Sequence, residues 1–111
     1  MCIRDRNNLR DPYQLLHMHL AVELLQDSVL NNRQVIILGD YDVDGITATA
    51  LVLDFLKACG AGKVDYFIPN RIKHGYGLTD ASTDILLERN ADLVLTAVSY
   101  THLTLPTILL V

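Results

Sequence analysis

VIILGDYDVDG, residues 35–45, is the stretch that decides the fold of this chain. Its four leading apolar residues are typical of a central parallel strand that is covered on both faces. Gly39 then lets the backbone turn. The small residues at 46–50 begin a helix that we expect to run to about Ala58, before Gly60 ends it. Strand, turn and helix predict the first unit of an α/β fold.

The flanking sequence continues this alternation. Upstream, Asp11 can cap a helix and Pro12 suits its first position; the apolar face of this helix recurs from Leu15 to Val29. Downstream, we expect two further strands with a loop and a helix between them: strand 64–68, loop 70–78, a helix capped by Thr79 or Asp80, and a strand from Leu93. Short links between alternating strands and helices predict parallel pairing.

The composition limits the functions that are open to the chain. It has 111 residues, of which 50% are hydrophobic and 20% charged, so it can bury a core and forms at most one domain. The net charge of -4 argues against a dedicated nucleic-acid coat, although metal ions can offset acidic residues. Cys2 and Cys59 provide neither ligand spacing nor a disulfide framework, which favours a reducing cytoplasm. We expect no signal peptide and no membrane span.

The candidate metal ligands are Asp40, Asp42 and Asp44. Alternate positions on an extended chain face the same way, so the three carboxylates could point together, although a turn would leave two of them on one ion. Clustered carboxylates repel one another unless a cation or a proton neutralises them. The alternative is that they form a turn and a helix cap, with Asp44 as the best candidate for the cap.

Two other interpretations of the acidic motif are excluded. A calcium-binding EF-hand loop needs a glutamate at its twelfth position, where this chain has Leu51, and a helix in front of the loop, where this chain has a predicted strand. A P-loop or a dinucleotide-binding fingerprint needs a different glycine spacing.

The second candidate site is the loop at 69–78. Arg71 can hold a phosphate through two hydrogen bonds, and the ring of Tyr76, between Gly75 and Gly77, can stack on a base. The alternative is a plain surface turn with solvated charges. In a parallel sheet, however, this loop leaves the carboxyl end of the second strand, beside the acidic turn that follows the first strand.

With both motifs, the chain resembles the amino-terminal part of the RecJ family of single-stranded-DNA-specific exonucleases, in the DHH phosphoesterase superfamily. The residues that carry the resemblance are GDYDVDGITATAL at 39–51, Pro69-Asn70-Arg71 and Gly75-Tyr76-Gly77-Leu78. The resemblance implies a partial three-layer doubly wound parallel α/β sheet, the start of a DHH domain. It also implies a manganese- or magnesium-dependent phosphodiesterase that degrades single-stranded DNA from its 5′ end, in DNA repair and recombination in the bacterial cytoplasm.

The same resemblance implies roles for individual residues. By this resemblance, Asp40 and Asp42 would be metal ligands, Asp44 would be a ligand or a partner of one, and two ions would hold a bridging water. The residues that would face the nucleic-acid strand are Arg71, Gly75, Tyr76 and Gly77. Two alternatives stay open: a phosphodiesterase acting on short oligonucleotides, cyclic dinucleotides or pyrophosphate, and a non-catalytic nucleic-acid-binding module.

Both ends of the chain depart from the family pattern. After the third strand the family has a Val-Asp-Cys/Asn-Gly motif, where this chain has Ala97-Val98-Ser99-Tyr100, and the family's Asp-His-His motif is absent. Both ends resemble translated sequencing adapters. We therefore expect residues 7–96 to be the amino-terminal part of a DHH domain, and residues 1–6 and 97–111 to be a non-native leader and tail. Without the remaining ligands, we expect the chain as written to be inactive.

Overall fold

Three parallel strands of four residues form the sheet in a computed structural model, which describes residues 10–75 and 77–97 and all their side chains except that of Arg71. The strands are β1 (Val35–Leu38), β2 (Val64–Phe67) and β3 (Leu93–Thr96). Their order is β2-β1-β3, so β1 is central, as predicted. All four side chains of β1 are buried, because a central strand is covered on both faces.

The described helices are α1 (Met18–Leu30), α2 (Val43–Ala58), α3 (Arg71–His74) and α4 (Asp80–Glu88). On one face of the sheet, Val35 and Ile37 of β1 pack with α1 and α2. On the other face, Ile36 and Leu38 pack with α4. This arrangement confirms the prediction of a three-layer parallel α/β sheet. None of the described helices is both long and apolar enough to span a membrane.

The start of the first helix was predicted wrongly. Asp11 caps a short 3-10 turn, Pro12–Gln14, and not α1. Leu15 is extended, with ψ 136°, and His17 has a left-handed φ of 62°, so the chain changes direction before α1 begins at Met18. The helix ends at Asn31, which is the C-cap of α1.

The segment after β2 also differs from its prediction as a loop. Residues 71–74 form the single helical turn α3, because the side chain of Asn70 accepts hydrogen bonds from the N–H groups of Ile72 and Lys73. Further on, α4 begins as expected, with Thr79 as its N-cap. The predicted leader at 1–6 and all of the predicted tail beyond Ala97 lie outside the described residues.

Candidate metal site and the adjacent loop

Asp40 stands at the carboxyl end of the central strand. The N–H of Gly39 donates to the carbonyl oxygen of Phe67 at 2.9 Å, so hydrogen bonding between β1 and β2 continues up to this point. Asp40 is only 7% exposed, and its Oδ1 accepts from the N–H of Tyr41 at 2.7 Å. In the described part of the chain, no Lys, Arg or His forms an ion pair with Asp40. A nearly buried carboxylate without a counter-charge is destabilising unless a cation or a proton neutralises it, so Asp40 fits the role of a metal ligand.

Asp42 and Asp44 are in different surroundings from Asp40. Asp42 is exposed and is the N-cap of α2, where its Oδ1 accepts from the N–H of Gly45 at 2.7 Å. Asp44 is exposed in the first turn of α2, where a negative charge interacts favourably with the helix dipole. The cap expected at Asp44 is therefore made by Asp42, and α2 begins at Val43 and not after Gly45.

The prediction that three carboxylates point the same way assumed an extended chain through Asp44. Because α2 begins at Val43, this assumption does not hold for Asp44. The chain is extended at Asp42, with ψ 171°, and helical from Val43 onward, so Asp44 does not continue the extended run. Within residues 10–75 and 77–97, no group of three or more Asp, Glu, His or Cys side chains is placed to hold one metal ion. The assignment of Asp40, Asp42 and Asp44 as ligands stays a prediction.

Two glycines allow α2 to approach the end of β1 closely. A Cβ at Gly45 would lie 2.6 Å from the Cβ of Asp40 and 2.8 Å from its backbone N and O. A Cβ at Gly39 would collide with Oγ1 of Thr49. Thr49 is 3% exposed, and its Oγ1 donates to the carbonyl oxygen of Gly45 at 2.7 Å. From the sequence, Gly39 is interpreted only as a turn residue, and the contact of Thr49 with Gly39 is missed. The small-residue segment at 46–50 was the signal in the sequence for this close packing.

The loop after β2 leaves the sheet at the same edge as the acidic turn, as predicted. Phe67 of β2 is in register with Leu38 of β1, so the backbone leaves the two strands at the same level of the sheet. Gly75 and Gly77 have φ of 76° and 86°, in the left-handed region that favours glycine. Arg71 begins α3, its side chain is not described, and Tyr76 lies outside the described residues. The nucleic-acid contacts assigned to this loop stay a prediction.

A group of hydrogen-bonding residues around this loop was missed from the sequence. The N–H of Asn70 donates to Nδ1 of His74 at 2.9 Å, and Oγ1 of Thr79 donates to the carbonyl oxygen of His74 at 2.7 Å. The sequence offers one indication of these hydrogen bonds: position 70 is an asparagine, a residue type that favours helix N-caps.

Comparison with known proteins identifies the class of protein. The model of the DHH family, N-terminal domain, matches residues 34–108, and the chain belongs to this family. Within it, the chain is similar to the single-stranded-DNA-specific exonuclease RecJ. It is 36% identical over 93 residues to RecJ of Haemophilus influenzae, a match that covers 84% of this chain and 16% of that protein. It is 37% identical over 83 residues to RecJ of Escherichia coli, with 75% and 14% covered.

A solved structure agrees with these relatives. The crystal structure of exonuclease RecJ bound to manganese matches with a TM-score of 0.68 and 38% sequence identity, over 74% of this chain and 21% of that one. The resemblance to RecJ inferred from the two motifs is confirmed, and so is the fold class. The chain spans 16% of the length of the H. influenzae relative.

Proposed function

We propose that this chain is the amino-terminal part of a metal-dependent exonuclease that hydrolyses single-stranded DNA from its 5′ end, acting in DNA repair and recombination in the bacterial cytoplasm. The observation that carries the proposal is the Asp40 carboxylate. It is nearly buried at the end of the central strand, and in the described part of the chain it has no ion-pair partner. This is the environment of a group that binds a cation. The similarity to a RecJ that binds manganese supports the same conclusion.

Asp40 and Asp42, with Asp44 as a ligand or a partner of one, would hold Mn²⁺ or Mg²⁺. The ion would lower the pKa of a bound water and neutralise charge on the scissile phosphate. The chain itself orients the carboxylates: the N–H of Tyr41 donates to Asp40, and the N–H of Gly45 donates to Asp42. Both of these hydrogen bonds are accepted by Oδ1, and none of the described residues donates to the Oδ2 of Asp40 or of Asp42. Oxygen donors of this kind suit both ions.

The loop after β2 would bind the DNA strand. In this proposal Arg71 holds a backbone phosphate, Tyr76 stacks on a base, and Gly75 and Gly77 allow the strand to approach the backbone. The common edge of the sheet supports the proposal, because it puts the loop beside the end of β1, where the carboxylate of Asp40 lies.

A chimeric enzyme tests the proposed function. Residues 10–96 replace the matching segment of E. coli RecJ, to which this chain is 37% identical over 83 residues. We expect the chimera to release nucleotides from the 5′ end of labelled single-stranded DNA in the presence of Mn²⁺. The substitution Asp40→Asn keeps the size of the side chain and removes its charge, and we expect it to lower kcat/KM by at least about 100-fold.

The control is Asp54→Asn, which removes the same charge from an exposed position on α2. We expect this variant to keep the activity of the unsubstituted chimera. A folded chimera that leaves the 5′ end intact contradicts the proposal, and so does an Asp40→Asn chimera with full activity.

A further inference from the structure

At the beginning of the loop after β2, the side chains of Asn70 and His74 form hydrogen bonds with backbone N–H groups. Oδ1 of Asn70 accepts from the N–H groups of Ile72 and Lys73, at 3.0 and 3.3 Å. The N–H of Asn70 itself donates to Nδ1 of His74 at 2.9 Å. A helix of four residues is too short to be stable on its own, so α3 depends on these bonds.

The end of the loop is tied to the same residue. Oγ1 of Thr79 donates to the carbonyl oxygen of His74 at 2.7 Å, and Thr79 is also the N-cap of α4. Thr79 and Ser82 form a reciprocal capping box, in which each side chain accepts from the other residue's N–H. Ser82 is fully buried, and its Oγ lies 3.2 Å from the carbonyl oxygen of Gly77. The position of the loop is thereby coupled to the start of α4.

The ring of His74 makes one further contact. It meets the ring of Phe67, the last residue of β2, edge to face at 5.5 Å between centroids. Because Nδ1 accepts a hydrogen bond, the proton of the neutral ring belongs on Nε2. His74 thus joins the end of β2, the start of α3 and the cap of α4.

We propose that His74 is a positioning residue for nucleic-acid binding by this loop. Its Nδ1 holds the backbone at Asn70, the residue that directly precedes Arg71, and so sets where Arg71 starts relative to the end of β1. The group that acts is the acceptor nitrogen, and neither the charge of the ring nor its packing on Phe67 is required. This inference rests on the proposed function, because it assigns a role within the same site.

Two substitutions separate the acceptor from the ring. In His74→Asn the side-chain oxygen can accept in place of Nδ1, but the ring is lost. In His74→Phe the ring stays against Phe67, but the acceptor is lost. The measurement is fluorescence anisotropy of a labelled single-stranded oligothymidylate with the full chain, under the same buffer conditions for all variants. We expect His74→Phe to raise Kd at least about fivefold and His74→Asn to stay within about twofold of wild type.

Every outcome bears on the inference. Wild-type affinity in His74→Phe overturns it, and so does an equal loss in both variants, which would assign the effect to the ring. Amide hydrogen exchange provides a readout without DNA: faster exchange at Asn70 in the Phe variant, and not in the Asn variant, supports the inference, whereas unchanged exchange overturns it. If the wild-type chain does not bind the oligonucleotide, the proposed nucleic-acid contacts fail and this inference fails with them. The exchange data then still show whether Nδ1 of His74 holds the backbone at Asn70.

Discussion

At the scale of single residues, Asp40 and Asp42 have the same side chain and belong to one motif, but they differ in burial and in hydrogen-bond partners. Asp40 is nearly buried and accepts one backbone hydrogen bond, so its charge is only partly compensated. Asp42 is exposed, and the N-terminus of α2 stabilises its carboxylate by hydrogen bonding and through the helix dipole. Asp42 therefore has a structural role that does not depend on a metal ion, and substitutions at this position can separate the two roles.

We expect Asp42→Asn and Asp42→Ala to differ in stability and to agree in metal binding. Asparagine keeps the capping oxygen, so the free energy of unfolding should stay within about 0.5 kcal/mol of wild type, whereas alanine should lower it by about 1 kcal/mol. Both substitutions remove the charge, so both should weaken Mn²⁺ binding by at least about tenfold. Urea unfolding and isothermal titration with Mn²⁺ measure the two effects. An alanine variant as stable as wild type would show that the cap contributes nothing.

At the scale of secondary-structure elements, the decisive contact is that of α2 with the end of β1. Gly39, Gly45 and Thr49 bring the first turns of the helix against the strand end, where a side chain on either glycine would collide with its neighbour. Neither glycine has a positive φ, so the requirement is for space and not for an unusual backbone conformation. Because Asp40 lies at this contact, the docking of α2 also determines the surroundings of the candidate metal ligand.

Gly39→Ala should lower the free energy of unfolding by about 1–3 kcal/mol, since the added methyl group overlaps Oγ1 of buried Thr49. In a double-mutant cycle measured by urea unfolding, combination with Thr49→Ala should recover part of this loss. Gly62→Ala is the matched control, because its methyl group would meet only the flexible side chain of Asn32, and we expect a change within about 0.5 kcal/mol. A purely additive cycle would refute the proposed overlap.

At the scale of the whole molecule, β1 connects the two halves of the core. Ile37 packs with α1 and α2 on one face of the sheet, and Ile36 packs with α4 on the other, and both side chains are fully buried. The edge strand β2 contributes less, since Asp65 and Tyr66 are exposed. The stability of the described part of the chain therefore depends on this one central strand.

Truncation to alanine should be costly on either face of the sheet. We expect Ile36→Ala and Ile37→Ala each to lower the free energy of unfolding by about 2–5 kcal/mol, because each leaves a cavity between the strand and its helices. Ile46→Ala on α2, where the side chain is 47% exposed, should cost less than about 1 kcal/mol. Urea unfolding of the three variants measures the effect. A tolerated substitution on one face would mean that this face is not packed as described.

Some features could be predicted because they depend on local patterns. The continuous apolar run at 35–38 indicated a central strand, and Thr79 was a correct candidate for the cap of α4. The late start of α1 was missed, because Leu15 continues the apolar spacing but is extended in the structure. Asp42 and Asp44 are both capping residue types, and the choice between them depends on where the backbone becomes helical.

By itself, the sequence determined the parallel α/β class, the membership of the DHH family and the order of the two candidate motifs. Periodicity, residue type and spacing are sufficient for the fold class and for the order of the motifs, since these need no knowledge of distant contacts. The family membership follows from the resemblance of the two motifs to those of the RecJ family and from the match to the family model. Only the tertiary structure decided that Asp40 is nearly buried while Asp42 caps a helix, that α2 fits against Gly39, and that His74 closes the loop. The physical reason is that burial and hydrogen-bond partners are properties of the packed chain, in which residues of equal local propensity compete for the same backbone groups.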